Sequence, residues 1–438
     1  MRAAVIGAGL AGVEAAWQLQ KRGVRVDLYE MKPQRFSPAH RSAGFAELVC
    51  SNSLKAERQN SAAGLLKAEM ASFSSICVEA AYKTRVPAGG ALAVDRDLFS
   101  AYITEKTEGA AGITVHRQEV VSLPENADVV IVAAGPLASD ALAETIRALT
   151  GADGLSFYDA AAPIVTADSV DRQYAFAQSR YDRGGADDYL NCPMNKAEYE
   201  AFYKALTGAA RAETHSFDER RDVYEGCMPI EALASRGHDA IRYGPMKPVG
   251  LVDPQTGRRP WANLQLRKEN AAGTLYNLVG FQTNLKFGEQ QRVFSMIPAL
   301  HDAQFARYGV MHRNTFLDSP RLLSADFSLR ADRRIYFAGQ ITGVEGYMES
   351  ASSGILAGVN ASRALAGKPP LLLPETTMMG ALSRYISDPS VANFQPMGAN
   401  FGILPPLDAR IRDKAARYAA LASRALAALA DYKEAMGE

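Results

Sequence analysis

Four cysteines are the residues of this sequence best suited to covalent chemistry. They stand at positions 50, 77, 192 and 227 and form no CxxC pair, zinc-ligand spacing or disulfide framework. Cys50 lies among small polar residues, and Cys227 is bracketed by a glycine, a proline and two carboxylates, so these two thiols are candidate nucleophiles. Cys77 and Cys192 are expected to be buried apolar side chains. Nearby carboxylates disfavour a thiolate, so activation requires a cation or a helix terminus that the sequence does not place.

A glycine-rich turn near the start of the chain predicts a dinucleotide site. An apolar strand at 3–6 runs into the pattern GxGxxG at 7–12, a helix is expected from Val13 to Lys21, and a second strand ends at Glu30. The glycines allow a tight turn, close approach of the backbone to a pyrophosphate, and close packing of helix on strand. Glu30 is placed to accept both hydroxyls of an adenosine ribose. The candidate cofactor-binding residues of this segment are Gly7, Ala8, Gly9, Leu10, Ala11, Gly12 and Glu30.

Later segments favour FAD over NAD at this site. The glycine pattern continues to Ala16 and Gly23 with a spacing typical of FAD-binding flavoproteins of the glutathione-reductase type. Strands at 129–136 and 334–340 both end in glycine turns, and a helix rich in Ala, Ser and Gly is expected at 345–365. Small residues allow a long ligand to lie close to that helix, although close helix–sheet packing in any α/β protein would also use them. These segments add Gly135, Gly339, Gln340 and Gly346 to the candidate FAD-binding residues.

The order of these patterns predicts the fold class. We expect an α/β protein in which a Rossmann-like FAD-binding domain of the glutathione-reductase type is assembled from both chain ends, residues 1–150 and 301–438. Residues 151–300 contain frequent Tyr and Phe and short strand-like runs, and are expected to form an inserted α+β domain that faces the substrate or RNA. The Ala-rich stretch at 405–436 predicts one or two closing helices.

Composition and charge exclude several classes of protein. The chain has 438 residues, 47% of them hydrophobic, with 48 Lys and Arg against 48 Asp and Glu. It is therefore neither disordered nor uniformly basic, although residues 236–334 carry 15 basic and 8 acidic side chains, a local charge of +7. The start of the chain lacks the apolar core of a signal peptide, and no stretch reaches the ~18 apolar residues of a membrane span. We expect a soluble, cytoplasmic protein.

A family resemblance rests on several segments that keep the same order along the chain. They are the glycine turn at 7–12, ELVCSNSL at 47–54, PAGGALAVDR at 87–96, EGCMPIE at 225–231, GPMKPVG at 244–250, YGVMHRNT at 308–315 and FAGQITGVEG at 337–346. With them, from about residue 3 to residue 404, the chain resembles the methylenetetrahydrofolate- and FAD-dependent tRNA (uracil-5-)-methyltransferase family. Ala134 stands where the family is expected to have a threonine, while the neighbouring glycine and proline are kept.

The resemblance implies a reaction and roles for the two candidate thiols. The reaction is methylation of a T-loop uridine of tRNA to 5-methyluridine, with the carbon taken from 5,10-methylenetetrahydrofolate. FAD carries the methylene and the hydride, and NADH or NADPH is the reductant. Cys227 matches the nucleophile that adds to C6 of uracil and makes C5 reactive. Cys50 matches the second functional cysteine, near the flavin, as a base or as a reversible partner of the methylene. The implied partners are tRNA, folate and the reduced nicotinamide nucleotide, with no membrane and no obligate protein partner.

Other functions remain open at this point. A related, longer flavoprotein modifies the tRNA wobble uridine, but it carries a substantial helical C-terminal domain, and here only about 30 residues follow Pro406. A pyridine-nucleotide oxidoreductase acting on a small molecule is a second alternative, although a disulfide reductase would need paired cysteines beside the flavin. A flavin-stabilised RNA-binding protein is a third, and it would not require both thiols. On the leading hypothesis, the arginines of residues 236–334 are expected to give RNA binding a salt-sensitive affinity.

Overall fold

The computed structural model describes residues 1–151, 155–182, 185, 187–212, 228–391 and 394–438. Its strands are β1 (Arg2–Ile6), β2 (Arg25–Tyr29), β3 (Ser53–Ala56), β4 (Arg85–Val86), β5 (Ala91–Val94), β6 (Ile113–His116), β7 (Val129–Val132), β8 (Leu155–Ala160), β9 (Ile164–Thr166), β10 (Phe176–Ala177), β11 (Tyr189–Met194), β12 (Ala262–Lys268), β13 (Leu275–Leu278), β14 (Phe305–Arg307), β15 (Met311–Phe316) and β16 (Ile335–Phe337). Its α-helices are α1 (Leu10–Lys21), α2 (Ala62–Ser72), α3 (Ile76–Lys83), α4 (Arg96–Glu108), α5 (Asp140–Thr150), α6 (Lys196–Thr207), α7 (Ile230–Ala234), α8 (Ala240–Tyr243), α9 (Phe287–Phe294), α10 (Ser319–Leu322), α11 (Tyr347–Leu365), α12 (Met378–Tyr385) and α13 (Lys414–Met436).

A five-stranded parallel sheet holds the two ends of the chain together. Its strand order is β16-β7-β1-β2-β6, so that β16, from the last quarter of the chain, lies beside β7. The central strand β1 pairs with β2 on one side and β7 on the other, and four of its five residues are buried. Such burial is expected of a parallel sheet that helices cover on both faces. The predicted α/β fold, with its Rossmann-like sheet assembled from both chain ends, is confirmed.

The helix after the glycine turn begins earlier than the sequence predicted. α1 starts at Leu10 rather than at Val13, because the turn itself supplies the first hydrogen bond of the helix, from Val13 N–H to the carbonyl oxygen of Gly9 at 3.0 Å. Gly12 lies in this first turn, where a Cβ atom would stand 1.8 Å from the carbonyl oxygen of Gly7. Only glycine fits at that contact, so the close packing predicted for this position is present.

The small residues of α11 bring two helices into backbone contact. A Cβ atom at Gly354 would stand 2.1 Å from the carbonyl oxygen of Ala11, and one at Gly358 would stand 2.7 Å from that of Ala15. Both partners belong to α1, so α11 lies directly against the helix that follows the glycine turn. Packing of helix on helix therefore accounts for these glycines, rather than the packing of helix on sheet that was the alternative explanation of the sequence pattern.

The middle of the chain forms an antiparallel sheet with a hydrophobic core of its own. The strand order is β10-β11-β12-β13-β9-β14, and α6 and α9 contribute the buried rings of Tyr199, Phe202 and Phe294 to this core. Strands β8 and β15 lie on the two connections between this antiparallel sheet and the parallel sheet. They pair with each other as a two-stranded antiparallel ribbon. The paired strands extend past residue 300, and the division at 151–300 stays a prediction.

Smaller elements complete the part of the fold built from both chain ends. An antiparallel sheet with the order β3-β5-β4 follows the segment that contains Cys50. The Ala-rich stretch forms one long helix, α13, and the side chain of Glu438 accepts hydrogen bonds from Arg22 Nη2 at 2.6 Å and Arg363 Nη1 at 2.8 Å. Among the helices of the described ranges, none is both long and apolar enough to cross a membrane.

Candidate active site

A deep pocket opens at the carboxyl ends of the parallel strands. It encloses about 1350 Å³, counting the space at its open mouth. Ligands of open α/β sheets bind at this edge, where the loops after the strands converge. Eight residues predicted to bind the cofactor line it, namely Gly7, Gly9, Leu10, Ala11, Glu30, Gly135, Gly339 and Gln340. The structure thus brings together residues that are more than 300 positions apart in the sequence.

The glycine turn gives the pocket the geometry of a pyrophosphate site. Gly7 has φ = +97°, and a Cβ atom there would stand 2.6 Å from the carbonyl oxygen of Ala133, so the turn requires glycine. At Gly9 a Cβ atom would meet no described protein atom within 4 Å, although the residue lines the pocket. The space beside Gly9 is therefore available to a ligand. The first turn of α1 begins here, and its free N–H groups favour a bound anion.

Glu30 lies at one end of the pocket with its carboxylate held in place. Its Oε2 accepts the backbone N–H of Ala8 at 2.9 Å, and its Oε1 accepts that of Lys32 at 3.0 Å. A carboxylate oxygen has two lone-pair sites, so each oxygen keeps one for a ribose hydroxyl. Ala8 itself does not line the pocket and acts by orienting Glu30.

Two other predicted cofactor residues also lie outside the pocket lining. Gly12 is used in the packing of α1 against the turn. Gly346 has φ = +121°, and a Cβ atom there would stand 2.3 Å from Oε2 of Glu349 and 2.7 Å from Nζ of Lys55. Its conformation allows α11 to begin immediately beside this ion pair, which places Tyr347 at the pocket wall.

Cys50 lines the pocket together with Tyr347. The tyrosine Oη lies 2.7 Å from the backbone nitrogen of Cys50, 3.2 Å from that of Ser51 and 3.0 Å from the Cys50 Sγ. Because the two backbone N–H groups donate to Oη, its own proton is left for the sulfur. Burial, followed by the nearby thiol, raises the pKa of Tyr347 well above its ordinary value, so the hydroxyl remains a donor. The sequence pointed to Cys50 but gave no indication of Tyr347 as its partner.

Arg96 is the cation that the sequence did not place. Its Nε and Nη2 donate to the two carboxylate oxygens of Glu269 at 2.6 and 3.2 Å, and its Nη1 donates to the carbonyl oxygen of Leu48 at 2.5 Å. Burial lowers the pKa of Arg96, but Glu269 more than offsets it, with further contributions from Tyr347 and Cys50, so the pKa is raised. A permanent positive charge therefore acts on the thiol. The only sequence signal was that Arg96 ends the segment 87–96.

A second buried arginine fixes the loop that carries Cys50. Arg267, on β12 of the antiparallel sheet, donates from Nε to Oδ1 of Asn52 and from Nη2 to Oγ of Ser51, both at 2.9 Å. The Asn52 amide in turn donates to the carbonyl oxygens of Val94 and Lys268 at 3.0 and 2.9 Å. The thiol is thus positioned by the inserted part of the chain as well as by α11. Sequence reasoning counted Arg267 only as part of a basic segment.

Two of the other cysteines are buried, as the sequence predicted. Cys77 and Cys192 are fully buried, and burial raises the pKa of Cys77 well above its ordinary value and that of Cys192 to about 12. Cys227 lies outside the described residues. Shortly after it, the buried Glu231 accepts hydrogen bonds from Thr283 Oγ1 at 2.9 Å and from the backbone N–H of Asn284 at 2.8 Å. These contacts hold Glu231, four residues after Cys227, in place.

The chain matches a family model and known enzymes over most of its length. The family described as glucose inhibited division protein A matches residues 2–369. The chain is 56% identical to the methylenetetrahydrofolate–tRNA-(uracil-5-)-methyltransferase TrmFO of Pelotomaculum thermopropionicum, over 99% of this chain and 98% of the relative. The enzyme of the same description from Lactiplantibacillus plantarum is 55% identical, over 98% of this chain and 97% of the relative.

A solved structure shares the fold at much lower sequence identity. GidA of Aquifex aeolicus, in its form II crystal, superposes with a TM-score of 0.70 at 15% identity, covering 98% of this chain and 73% of GidA. The form I crystal gives a TM-score of 0.68 at 16% identity, covering 99% of this chain and 77% of GidA. At such identities the likeness establishes the fold alone.

Proposed function

We propose that this protein methylates a T-loop uridine of tRNA and that Cys50 and Cys227 are its two catalytic thiols. The premise is that the chain belongs to the glucose inhibited division protein A family and within it to the methylenetetrahydrofolate–tRNA-(uracil-5-)-methyltransferases. The protein is a folate-dependent flavoprotein that transfers a one-carbon unit to C5 of a tRNA uracil. The observation that carries this conclusion is 56% identity along nearly the whole length of an enzyme with that activity. The wobble-uridine and oxidoreductase alternatives are not favoured by these relatives.

The residues of the pocket fit FAD. Glu30 would hold the adenosine ribose, the turn at Gly7 and Gly9 would hold the pyrophosphate, and Cys50 and Tyr347 line the pocket in which the flavin ring would lie. Bound FAD supplies the carrier for the one-carbon unit and the hydride that completes the methyl group. NADH or NADPH is the proposed external reductant.

Cys50 is suited to hold and move a proton. The hydroxyl of Tyr347 donates to its sulfur, and Arg96 supplies a positive charge, so both favour the thiolate. We assign to Cys50 Sγ the removal of the proton from C5 of uracil after the carbon has been added. Tyr347 and Arg96 are positioning residues for this step, because they act through the thiol.

Cys227 is the proposed nucleophile toward uracil. Its thiolate forms a bond to C6, and the electron pair of the C5–C6 double bond moves to C5 and O4, which makes C5 nucleophilic. C5 then forms a bond to the one-carbon unit, and that carbon becomes a methyl group when its remaining bond to the carrier is replaced by a hydride, which bound FAD would supply. Loss of the C5 proton to Cys50 restores the double bond and expels Cys227 as a thiolate, so that neither thiol is consumed. The support for this role is the family resemblance of the segment 225–231.

The experiment that tests the function uses purified protein and tRNA that lacks 5-methyluridine. The protein is incubated with methylenetetrahydrofolate and either NADH or NADPH, and the digested nucleosides are measured by mass spectrometry. We expect 5-methyluridine that depends on the folate. In C227A this product disappears while bound FAD remains, whereas C192A, which removes a buried thiol, keeps both. Nicotinamide oxidation without any 5-methyluridine would contradict the proposal, and full activity of C227A would refute the role of that thiol.

A further inference from the structure

A second cleft lies beside the loop that carries Cys50, between the small sheet and the antiparallel sheet. It encloses about 780 Å³, counting its open mouth, and it shares no lining residue with the pocket described above. Its wall includes Lys55 from β3, Arg58, the glycine turn at 89–90, Arg180, Tyr181 and Tyr189. We propose that this cleft binds a backbone phosphate of the RNA, close to the uridine that is methylated. The inference rests on the proposed function, since it assigns a binding site to the same RNA substrate.

The cleft carries positive charge that the protein itself leaves uncompensated. Among the described residues that line it, three are cations and none is a carboxylate. Arg58 makes no ion pair within the described part of the chain, and the one hydrogen bond of the Arg180 side chain there goes from Nη2 to the carbonyl oxygen of Lys247, at 2.5 Å. The Nε of Arg180 is buried and has no hydrogen-bond partner in the described residues.

The burial of Arg180 without an anion is costly in the free protein. Burial lowers its pKa, and Tyr181 and Tyr189 offset that effect only in part. A buried cation without a counter-charge is stabilised when an anion with several acceptor oxygens binds to it. A phosphate offers such oxygens, and the planar guanidinium group can bind two of them at once.

Two carboxylates beside the cleft are already engaged. The buried Glu349 binds Lys55 Nζ at 2.7 Å and accepts the backbone N–H of Ala399 at 2.9 Å. Asp188 accepts the backbone N–H of Gly89 at 2.6 Å and that of Gly185 at 3.0 Å. These bonds organise the wall of the cleft, and they leave the charges of Arg58 and Arg180 for a ligand.

The cleft is one layer of residues away from Cys50. On one side of that layer Arg267 binds Ser51 and Asn52, the two residues after the thiol. On the other side Tyr189 pairs with Arg267 across β11 and β12 and lines the cleft. A nucleic-acid strand that presents a uracil to Cys50 has phosphates on both sides of that base. One of them can therefore occupy the cleft while the base is in the active-site pocket.

RNA suits this cleft better than the carboxylate tail of a folate does. No described residue lines both spaces, so a ligand that reaches both must pass around the Ser51–Arg267 layer. A polynucleotide carries a phosphate at every nucleotide along its strand, whereas a folate carries carboxylates only on its tail. The ring of Tyr181 is 52% exposed at the edge of the cleft, where it can stack on a base that neighbours the phosphate. Cation and aromatic ring together are the usual combination for a single strand.

The test measures tRNA binding rather than catalysis. Binding of tRNA lacking 5-methyluridine to R58A, R180A and the double variant is titrated over a series of KCl concentrations. The matched control is R25A, an exposed arginine at the amino end of β2, on the opposite edge of the parallel sheet from the pocket. We expect the Kd of each single variant to rise roughly five- to tenfold, and the slope of log K against log salt to fall by about 0.7–0.9 for each contact removed. R25A keeps the wild-type values.

Further measurements distinguish loss of the phosphate site from misfolding and from loss of folate binding. Bound FAD, read from the visible spectrum, reports whether R180A is folded, and the exposed Arg58 gives a second variant if it is not. R180K is expected to recover most of the salt slope. Unchanged affinity and slope in the double variant would overturn the proposal, as would unchanged tRNA binding with a raised KM for a polyglutamylated folate. A wild type that makes no 5-methyluridine while R58A still lowers the slope would overturn the proposed function and leave the RNA site standing.

Discussion

Replacement of Tyr347 by phenylalanine tests the geometry of the thiol site most directly. The change deletes one oxygen, which is the acceptor for the N–H groups of Cys50 and Ser51 at 2.7 and 3.2 Å and the donor to Sγ at 3.0 Å. Two amides lose their acceptor, which costs about 1–3 kcal/mol when they are shielded from water. The aromatic ring stays in place, so the packing of α11 against the pocket is retained.

The effect on the reaction follows from the same bonds. Without the hydroxyl, the thiolate of Cys50 loses its donor and the loop loses its anchor, while Arg96 still supplies a positive charge. The loss of one hydrogen bond to a charged group, about 1.5–3 kcal/mol, corresponds to a decrease of roughly 10- to 150-fold in kcat. We expect kcat to fall by this factor with little change in KM for tRNA, and the deficit to shrink as the pH rises, because alkali then ionises the thiol without help.

The assay is the rate of 5-methyluridine formation between pH 6 and pH 9, with urea unfolding measured in parallel. The matched control is Y385F. Tyr385 ends α12 outside the pocket lining, and its hydroxyl donates to the backbone carbonyl of Gln395 at 2.8 Å. Y385F should lose a fraction of the unfolding free energy and no activity. If Y347F keeps the wild-type rate and pH profile, the view that this hydroxyl positions Cys50 is wrong. That view is also wrong if the Y347F change slows the C50S enzyme by the same factor as it slows the wild type, because the hydroxyl would then act independently of the thiol.

Three further changes test the cofactor site, the cation and the buried acids. G9V should purify without bound FAD because its side chain fills the space for the pyrophosphate, whereas G288V, at an exposed position of α9, should remain yellow. R96K should lose the paired hydrogen bonds to Glu269 and lower kcat about tenfold while FAD stays bound, and equal activity would argue against a fixed geometry. Burial raises the pKa of Glu69 to about 8 from 4.5, so its contribution to the free energy of unfolding is complete below pH 4.5 and is lost as the pH rises to about 8. Urea titrations from pH 5 to 8.5 should show a smaller decline in E69Q.

The sequence was sufficient for the parts of the fold whose determinants are local. A tight turn, a helix start and a strand end fall within 30 residues at the glycine pattern, and each depends on a residue type such as glycine with positive φ. The strand β16 was found the same way, from an apolar run that leads into Gly339. The start of α1 was missed by three residues, because the glycines that looked like a loop belong to the first turn of the helix.

The surroundings of Cys50 depend on contacts between distant parts of the chain. Arg96, Arg267 and Tyr347 come from three different elements, and nothing in their own local sequence marks them as partners of a thiol. The count of basic residues shows the same limit. Arg267 contributes to the +7 of residues 236–334 but is buried, whereas Arg58 and Arg180, which line the proposed phosphate site, lie outside that segment.

The Cys50 loop is attached to the antiparallel sheet, so cofactor binding and the positioning of the thiol depend on different parts of the chain. Most of the nucleotide pocket is built from the two ends of the chain, whereas Arg267 and Glu269, which fix Ser51, Asn52 and Arg96, lie on or directly after β12 of the antiparallel sheet in the insert. A chimera that exchanges the insert for that of another flavoprotein would keep the dinucleotide scaffold and lose the support of the thiol. Transplanting the methylation chemistry onto a foreign scaffold therefore requires moving the insert and the Cys50 loop together, as a single graft.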